Sequence, residues 1–421
     1  MNEKTYNAKV SRTKIKSFII VFIITLCTCI DPFKPNLSGY ASLLVVEGLI
    51  TNEKAPYEVH LSRTMQGANS VAERVTDAIV SVFDETGHKT NLKNYSGGVY
   101  KTDSTTFIGA VGKTYTLDII THDGKEYKSE QCTMLPVPEI DSIYFEKSVG
   151  FTNNQNETHE GISIYLDSKE GDETNNYLRW EYEETWKFRL PTIKRFNYIS
   201  ETNIPPLPYW DVKEFCWKQN KSTEILFQSF SPKQAGSIKN VPITFIGSDQ
   251  SDRLTIQYSI LVKQYSISEK EYQFWNSLKK VNESSGDIFG SQPFSVFSNI
   301  TNVHDKNEKV LGYFEVSAVS QKRKDITFKD LLNLNLPFFH YDCVRYETKP
   351  SDYCPGGTKG CIPPTWDELY KMWTKAQFIF IEPYIDPETK KLAEFIFASA
   401  ICSDCEITGT LVKPSFWIDL N

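Results

Sequence analysis

From Leu43 to Ser129 the chain is cut into short apolar runs separated by turn-forming residues, and that punctuation rules out a long-helix fold for this region. Leu43 to Ile50, Tyr57 to Leu61 and Ala78 to Phe83 are β-branched or alternating, the pattern of strands with a buried face. Hairpin-type turns stand at Asp84-Glu85-Thr86-Gly87, Ser96-Gly97-Gly98 and His122-Asp123-Gly124-Lys125. Val99-Tyr100, Tyr115 to Ile119 and Tyr127 to Ser129 flank them. About seven strands in about ninety residues predict a β-sandwich over 43–136.

Met134-Leu135-Pro136-Val137-Pro138 ends this unit, because proline cannot donate to a sheet ladder. Strand-length runs resume at Ile140 to Phe145, Ile162 to Leu166, Tyr177 to Tyr182, Ile225 to Phe227, Ile243 to Ile246 and Leu254 to Val262. A strand pair around Val310 to Val319 continues the texture, so 137–421 reads as a larger β-rich domain. One segment differs. Ser268-Glu269-Lys270-Glu271 has capping-box spacing, and Tyr272, Phe274, Trp275, Leu278 and Val281 recur at helical intervals up to Gly286. The pattern predicts a single amphipathic helix over 268–285, with its aromatic stripe assigned to core packing.

The N-terminus has three zones: a polar stretch with Lys4, Lys9, Arg12, Lys14 and Lys16, an apolar run from Phe18 to Ile24, then Thr25-Leu26-Cys27-Thr28-Cys29. This is the layout of a secretory signal, and the run is short of the roughly 20 residues that span a bilayer. Leu26 to Cys29 matches a bacterial lipobox, with Cys29 the lipidated residue; choosing Cys27 would put bulky Leu26 at the small-residue position. Plain secretion or an uncleaved anchor are the alternatives. The expected organisation is a signal peptide over 1–28 and a tether over 29–42. Cleavage removes five of 46 basic and one of 53 acidic residues and moves the formal charge from -7 to -11. So acidic a chain is a poor match for a phosphate backbone, and nucleic acid is not an expected partner.

Beyond Cys29 seven cysteines remain, an odd number, and Cys343, Cys354, Cys361, Cys402 and Cys405 crowd the C-terminal region. In an oxidising compartment these are disulfide candidates and staple a region poor in core residues; their connectivity is open. Zinc is the competing reading, with Cys402-Ser403-Asp404-Cys405 as one pair. Cys354 and Cys361 stand seven apart and make a poor second pair, so no metal is expected.

No His-Glu-x-x-His helix, Gly-x-Ser-x-Gly elbow, phosphate loop or dinucleotide fingerprint occurs, so no catalytic residue and no cofactor is predicted. Asp77 with Asp84, and Asp249 with Asp252, are carboxylate pairs of the kind a glycosidase needs, but loop solvation accounts for them. Aromatic rings bind ligands by stacking without acid-base machinery. Trp180, Trp186, Trp210 and Trp217, with Tyr209, sit near the prolines at 205–208 and are the candidate ligand contacts, with core packing as the competing role.

Cys29-Ile30-Asp31-Pro32, Leu44 to Gly48, Pro138 to Ile143, Tyr258 to Ser268, Phe274-Trp275, Asn299-Ile300, Leu311 to Phe314 and Lys413 to Trp417 together resemble the domain of unknown function 4249 family. The resemblance implies an outer-membrane lipoprotein of a Gram-negative bacterium, often encoded beside a TonB-dependent transporter. It carries over no catalytic residue, and of these positions only Cys29 has a stated chemical role. The fold expected is mainly β: an immunoglobulin-like or carboxypeptidase-regulatory-like sandwich, then the larger β-rich domain with its helix and disulfide-stapled C-terminal region. The function expected is a non-enzymatic, lipid-anchored accessory that binds a ligand for such a transporter. A surface adhesin or scaffold and an exported glycan or peptide hydrolase are the rivals.

Overall fold

The structure is a computed structural model that describes residues 42–54, 56–64, 71–103, 105, 107–151, 157–170, 176–230, 238–284, 296, 298–354 and 360–420. The signal peptide, Cys29, the tether up to residue 41 and the expected helix stop at Gly286 lie outside the described residues. Leu43–Arg63 and Glu73–Asn421 form one compact unit, and every described strand and helix belongs to it.

The first sheet takes β1 (Leu44–Ile50), β2 (Glu58–Arg63), β3 (Glu73–Arg74), β4 (Ile79–Asp84), β5 (Lys89–Ser96), β6 (Val99–Lys101), β7 (Thr114–Ile120), β8 (Glu126–Ser129) and β9 (Cys132–Thr133). In β1, Leu44, Val46, Gly48 and Ile50 point inward and Glu47 outward, as the alternation requires. The second region holds β10 (Ile140–Phe151), β11 (Thr158–Ser168), β12 (Tyr177–Phe188), β13 (Cys216–Lys221), β14 (Leu226–Ser229), β15 (Ile238–Gly247), β16 (Gln257–Ser266) and helix α1 (Glu269–Ser284). Then come β17 (Ile300–Asn302), β18 (Leu311–Val316) and β19 (Val319–Thr327).

The chain crosses the proline boundary twice. The first sheet runs β17-β8-β7-β4-β5-β6-β2-β1-β18, so strands from beyond residue 299 close both of its ends. Side chains from the whole path, from Leu44 and Val46 to Val80, Leu117, Ile300 and Phe314, share one core, which makes the sheet a sandwich folded over itself. β18 joins β1 in parallel, Val46 opposite Gly312. Gly312 has φ +86° and its missing Cβ would stand 1.9 Å from the Val46 carbonyl, so only glycine fits there.

A second sandwich faces sheet β10-β11-β15 against β13-β12-β16-β19, with β14 also on β12. Ile162, Ile164 and Leu166 of β11 meet Leu178, Trp180 and Phe188 of β12 in its core. A third module pairs β20 (Arg345–Thr348), β22 (Leu392–Ser399) and β21 (Phe378–Ile385) with helix α2 (Trp366–Lys375). α2 adds a second helix to the single one expected. Thr365 caps it, accepting from Glu368 N at 3.3 Å while Glu368 Oε2 accepts from Thr365 N at 2.8 Å. Trp366, Tyr370 and Trp373 then bury the helix against Phe380, Phe395 and Phe397.

Candidate functional site

β12 decides the fate of two candidate tryptophans. Its even positions, Leu178, Trp180, Tyr182, Trp186 and Phe188, all face the core of the second sandwich. Trp180 is 2% exposed and donates from Nε1 to Gln264 Oε1 at 2.9 Å; Trp186 donates to Asp252 Oδ1 at 2.8 Å. Trp217 is buried edge-on against Trp417, ring centroids 6.4 Å apart. Trp180, Trp186 and Trp217 are therefore core residues and not ligand platforms. Trp210 is different: it is 83% exposed, and its neighbour Tyr209 87%.

Both rings ride on a single 3-10 turn, Tyr209–Asp211, entered from Pro208. The residues on either side of the pair, Leu207 and Asp211, line a cleft of ≈ 320 Å³. Its lining mixes aromatic residues, Tyr370 of α2 and Phe378 and Phe380 of β21, with polar ones, Lys194, Asp211, Lys213, Thr374, Ser403 and Asp404. Leu207 is tied to the segment's own start by its N–H to Arg195 O at 2.7 Å, and Arg195 N–H reaches Ile381 O at 3.3 Å. The turn is thus fixed to β21.

Disulfides hold the opposite lip. Cys343 pairs with Cys402 and Cys216 with Cys405, so Ser403 and Asp404 stand between two cross-linked residues. Cys354 pairs with Cys361. All five candidate cysteines are bonded, so their sulfurs are not zinc thiolates, and the fifth takes its partner from Cys216, outside the C-terminal cluster. Cys132 is the one unpaired cysteine among the described residues, and burial pushes its thiol up to about 12, far from reactive thiolate.

Lys194 and Asp211 have no ion-pair partner among the described residues, whereas Lys213 bonds to Glu406. Asp404 Oδ1 caps the last short turn by accepting from Glu406 N at 3.1 Å. The lining therefore presents two cations and two anions, balanced, with one of each uncommitted.

A second, larger cleft of ≈ 450 Å³ opens where β1 and β2 meet β12, β16 and β18. Most of its charges are paired. Glu58 binds Lys101 at 2.7 Å and His60 at 3.0 Å, and Glu53 faces Lys263 at 3.5 Å. At its floor Arg179, only 3% exposed, binds Glu315 at 3.0 Å and also Glu181, while its guanidinium carbon lies 4.5 and 4.7 Å from the Tyr265 and Trp275 ring centroids. Burial would lower the Arg179 pKa, but Glu315 and then Glu181 raise it above the ordinary value, so the cation is permanent. Glu271 of α1 is buried beside this pair. Ser268 caps α1 as expected, accepting from Glu271 N at 3.2 Å, and the Glu271 carboxyl, which accepts from the Ser268 backbone N–H to complete the box, also accepts from the Ser317 hydroxyl at 3.4 Å. Burial first, and Glu315 second, push the Glu271 carboxyl well above the carboxylate range. This is a structural joint between the two sandwiches.

The remaining carboxylate pairs are likewise spoken for. Asp252 accepts from Trp186, from Lys218 at 2.7 Å and from Tyr341 at 2.6 Å, and Asp84 closes its own turn by accepting from Thr86 N at 2.9 Å.

The model of the family described as a domain of unknown function (DUF4249) matches residues 30–323. The chain belongs to this family. No curated protein matches it. The DUF4249 region contains the first sandwich, the second as far as the middle of β19, the joint and the Trp210 turn, while α2, β21 and the Cys402 to Cys405 lip lie beyond it. The cleft thus takes four of its lining residues from the family region and seven from the module that follows it. Sequence reasoning missed Lys194, Asp211, Tyr370 and Asp404. Thr365-Trp366-Asp367-Glu368 carried the same capping-box signal as Ser268 to Glu271 and would have revealed α2.

Proposed function

We propose that this chain is a lipid-anchored outer-membrane accessory protein that captures a ligand in the C-terminal cleft beside a TonB-dependent transporter, without catalysis. The observation that carries the reading is the lipobox at Leu26-Cys27-Thr28-Cys29, behind a charged and apolar leader and ahead of a disulfide-stapled body. Acyl chains contribute about 0.8 kcal/mol per buried methylene, so more than one chain anchors such a body stably. Three disulfides among the described residues agree with an oxidising compartment outside the cytosol. No described helix is long and apolar enough to cross a membrane. A binder is favoured over a glycan hydrolase because such an enzyme needs two carboxylates, and of the two in the lining Asp404 is engaged by Glu406 N and by Lys213 at 3.8 Å, which leaves Asp211 alone.

Palmitate labelling and mass spectrometry of the N-terminal peptide test the anchor. The expected result is a diacylglyceryl thioether on Cys29 that is lost in Cys29→Ala, with the variant released from the membrane fraction. An unmodified Cys29 in a membrane-free protein would overturn the reading.

A further inference from the structure

We infer that the cleft beside Trp210 binds a neutral carbohydrate, a pyranose-containing oligosaccharide or polysaccharide; this rests on the ligand-capture reading above and names its ligand class. A pyranose ring presents C–H bonds on its faces and hydroxyl groups around its edge. It therefore needs aromatic faces and short polar side chains together, and it needs no net charge.

The cleft supplies that combination. Tyr370 and Phe378 give it aromatic surface, with Phe380 buried behind them, and Lys194 and Asp211 give an uncommitted donor and acceptor, while the Thr374 and Ser403 hydroxyls, which donate to backbone carbonyls, keep a lone pair to accept with. Asp211 and Lys194 make no ion pair with the described residues, so their hydrogen-bonding capacity is open to hydroxyls. Its two lysines and two aspartates balance, which removes the reason a nucleotide or other polyanion would choose it. An acyl chain is equally ill served, because each buried polar group would lose its water without gaining a partner.

Trp210 and Tyr209 are not part of that lining but stand on the turn that carries Leu207 and Asp211 into it. Leaving two adjacent aromatic rings 83% and 87% exposed has no folding benefit, yet both lie on a turn that Pro208 and the Leu207 to Arg195 bond hold in place. Ser403 and Asp404 are likewise fixed between two disulfides. A site whose walls are ordered before binding loses little entropy on filling, which is what a weakly interacting, hydroxylated ligand requires.

The test is affinity electrophoresis of the detergent-extracted full chain in native gels containing starch, xylan, mannan, galactan or mixed-linkage β-glucan. Trp210→Ala, Asp211→Ala and, as a control at a distant exposed ring, Tyr95→Ala run beside it. The expected result is retardation by at least one polysaccharide, weakened about tenfold or more by Trp210→Ala and by Asp211→Ala, and untouched by Tyr95→Ala. Retardation by none of them, or retardation that both cleft variants leave intact, overturns the inference. So does a Trp210→Ala variant that keeps glycan retardation but loses a co-purifying protein, which would make the turn a protein interface. Lipidation at Cys29 is read separately, so a failed glycan assay leaves the anchor standing.

Discussion

The joint at Arg179 and the cleft at Trp210 both bring charges and aromatic rings together, and they dispose of them in opposite ways. At the joint the charged groups face one another: Glu181 and Glu315 share Arg179, and burial and Glu315 push the Glu271 carboxyl toward its protonated form. At the cleft Lys194 and Asp211 are left without ion-pair partners among the described residues, and Trp210 and Tyr209 without cover. The lesson is that charge and aromatic density alone do not mark a binding site. Groups that satisfy one another hold the fold; groups held rigid and unsatisfied are available to a ligand.

Breaking the joint has the largest expected effect. Arg179→Met leaves Glu315, whose side chain is 13% exposed, beside buried Glu271 without its cation, and removing one partner of such a pair costs about 3–5 kcal/mol. Urea unfolding of the variant checks it; a loss under about 1 kcal/mol would place Arg179 with ordinary surface ion pairs and dissolve the contrast with the cleft.

Glu271→Gln is smaller and has a sign. A carboxyl whose folded pKa is raised binds more protons in the folded state, so its contribution is fully present below the unfolded value near 4.5 and is lost as pH rises through the folded one. The wild type should therefore lose stability relative to Glu271→Gln by up to about 1.4 kcal/mol per pH unit above that value. Unfolding curves of both proteins between acid and mildly alkaline pH measure the difference. Parallel curves would contradict a protonated Glu271.

Trp210→Ala should change stability least, within about 0.5 kcal/mol, because the ring is exposed; Trp180→Ala is the internal contrast at about 3–5 kcal/mol. Thermal or urea unfolding separates the two. Equal losses would mean that Trp210 is part of the core and not of a site.

The same pair shows how far the sequence could be read. Strand parity in Tyr177 to Phe188 already put Trp180 and Trp186 on the apolar face with Leu178 and Tyr182, so their burial was visible in the alternation. The first sandwich, the β texture beyond residue 137 and helix α1 were legible because their signals are local, whereas the pairing of sheets into a second sandwich was not. Trp217 was not, because its cover is Trp417, two hundred positions away. Nor was the Cys216–Cys405 bond, which closes 189 residues and leaves no trace in spacing. The closure of the first sheet by β17 and β18 is hidden for the same reason, although Gly312, confined to positive φ, is its local mark. The cleft itself draws Lys194 and Asp211 from one region and Tyr370 and Asp404 from another, so only the folded chain assembles it.

Hydrogen–deuterium exchange of the detergent-extracted full chain, with and without the retarding polysaccharide, compares the two regions in one experiment. Slower exchange confined to peptides covering 194–213, 370–380 and 402–406 is the predicted result. Protection at 47–60 and 179–181 with none around Trp210, or no protection anywhere, would contradict the assignment of the C-terminal cleft as the binding site.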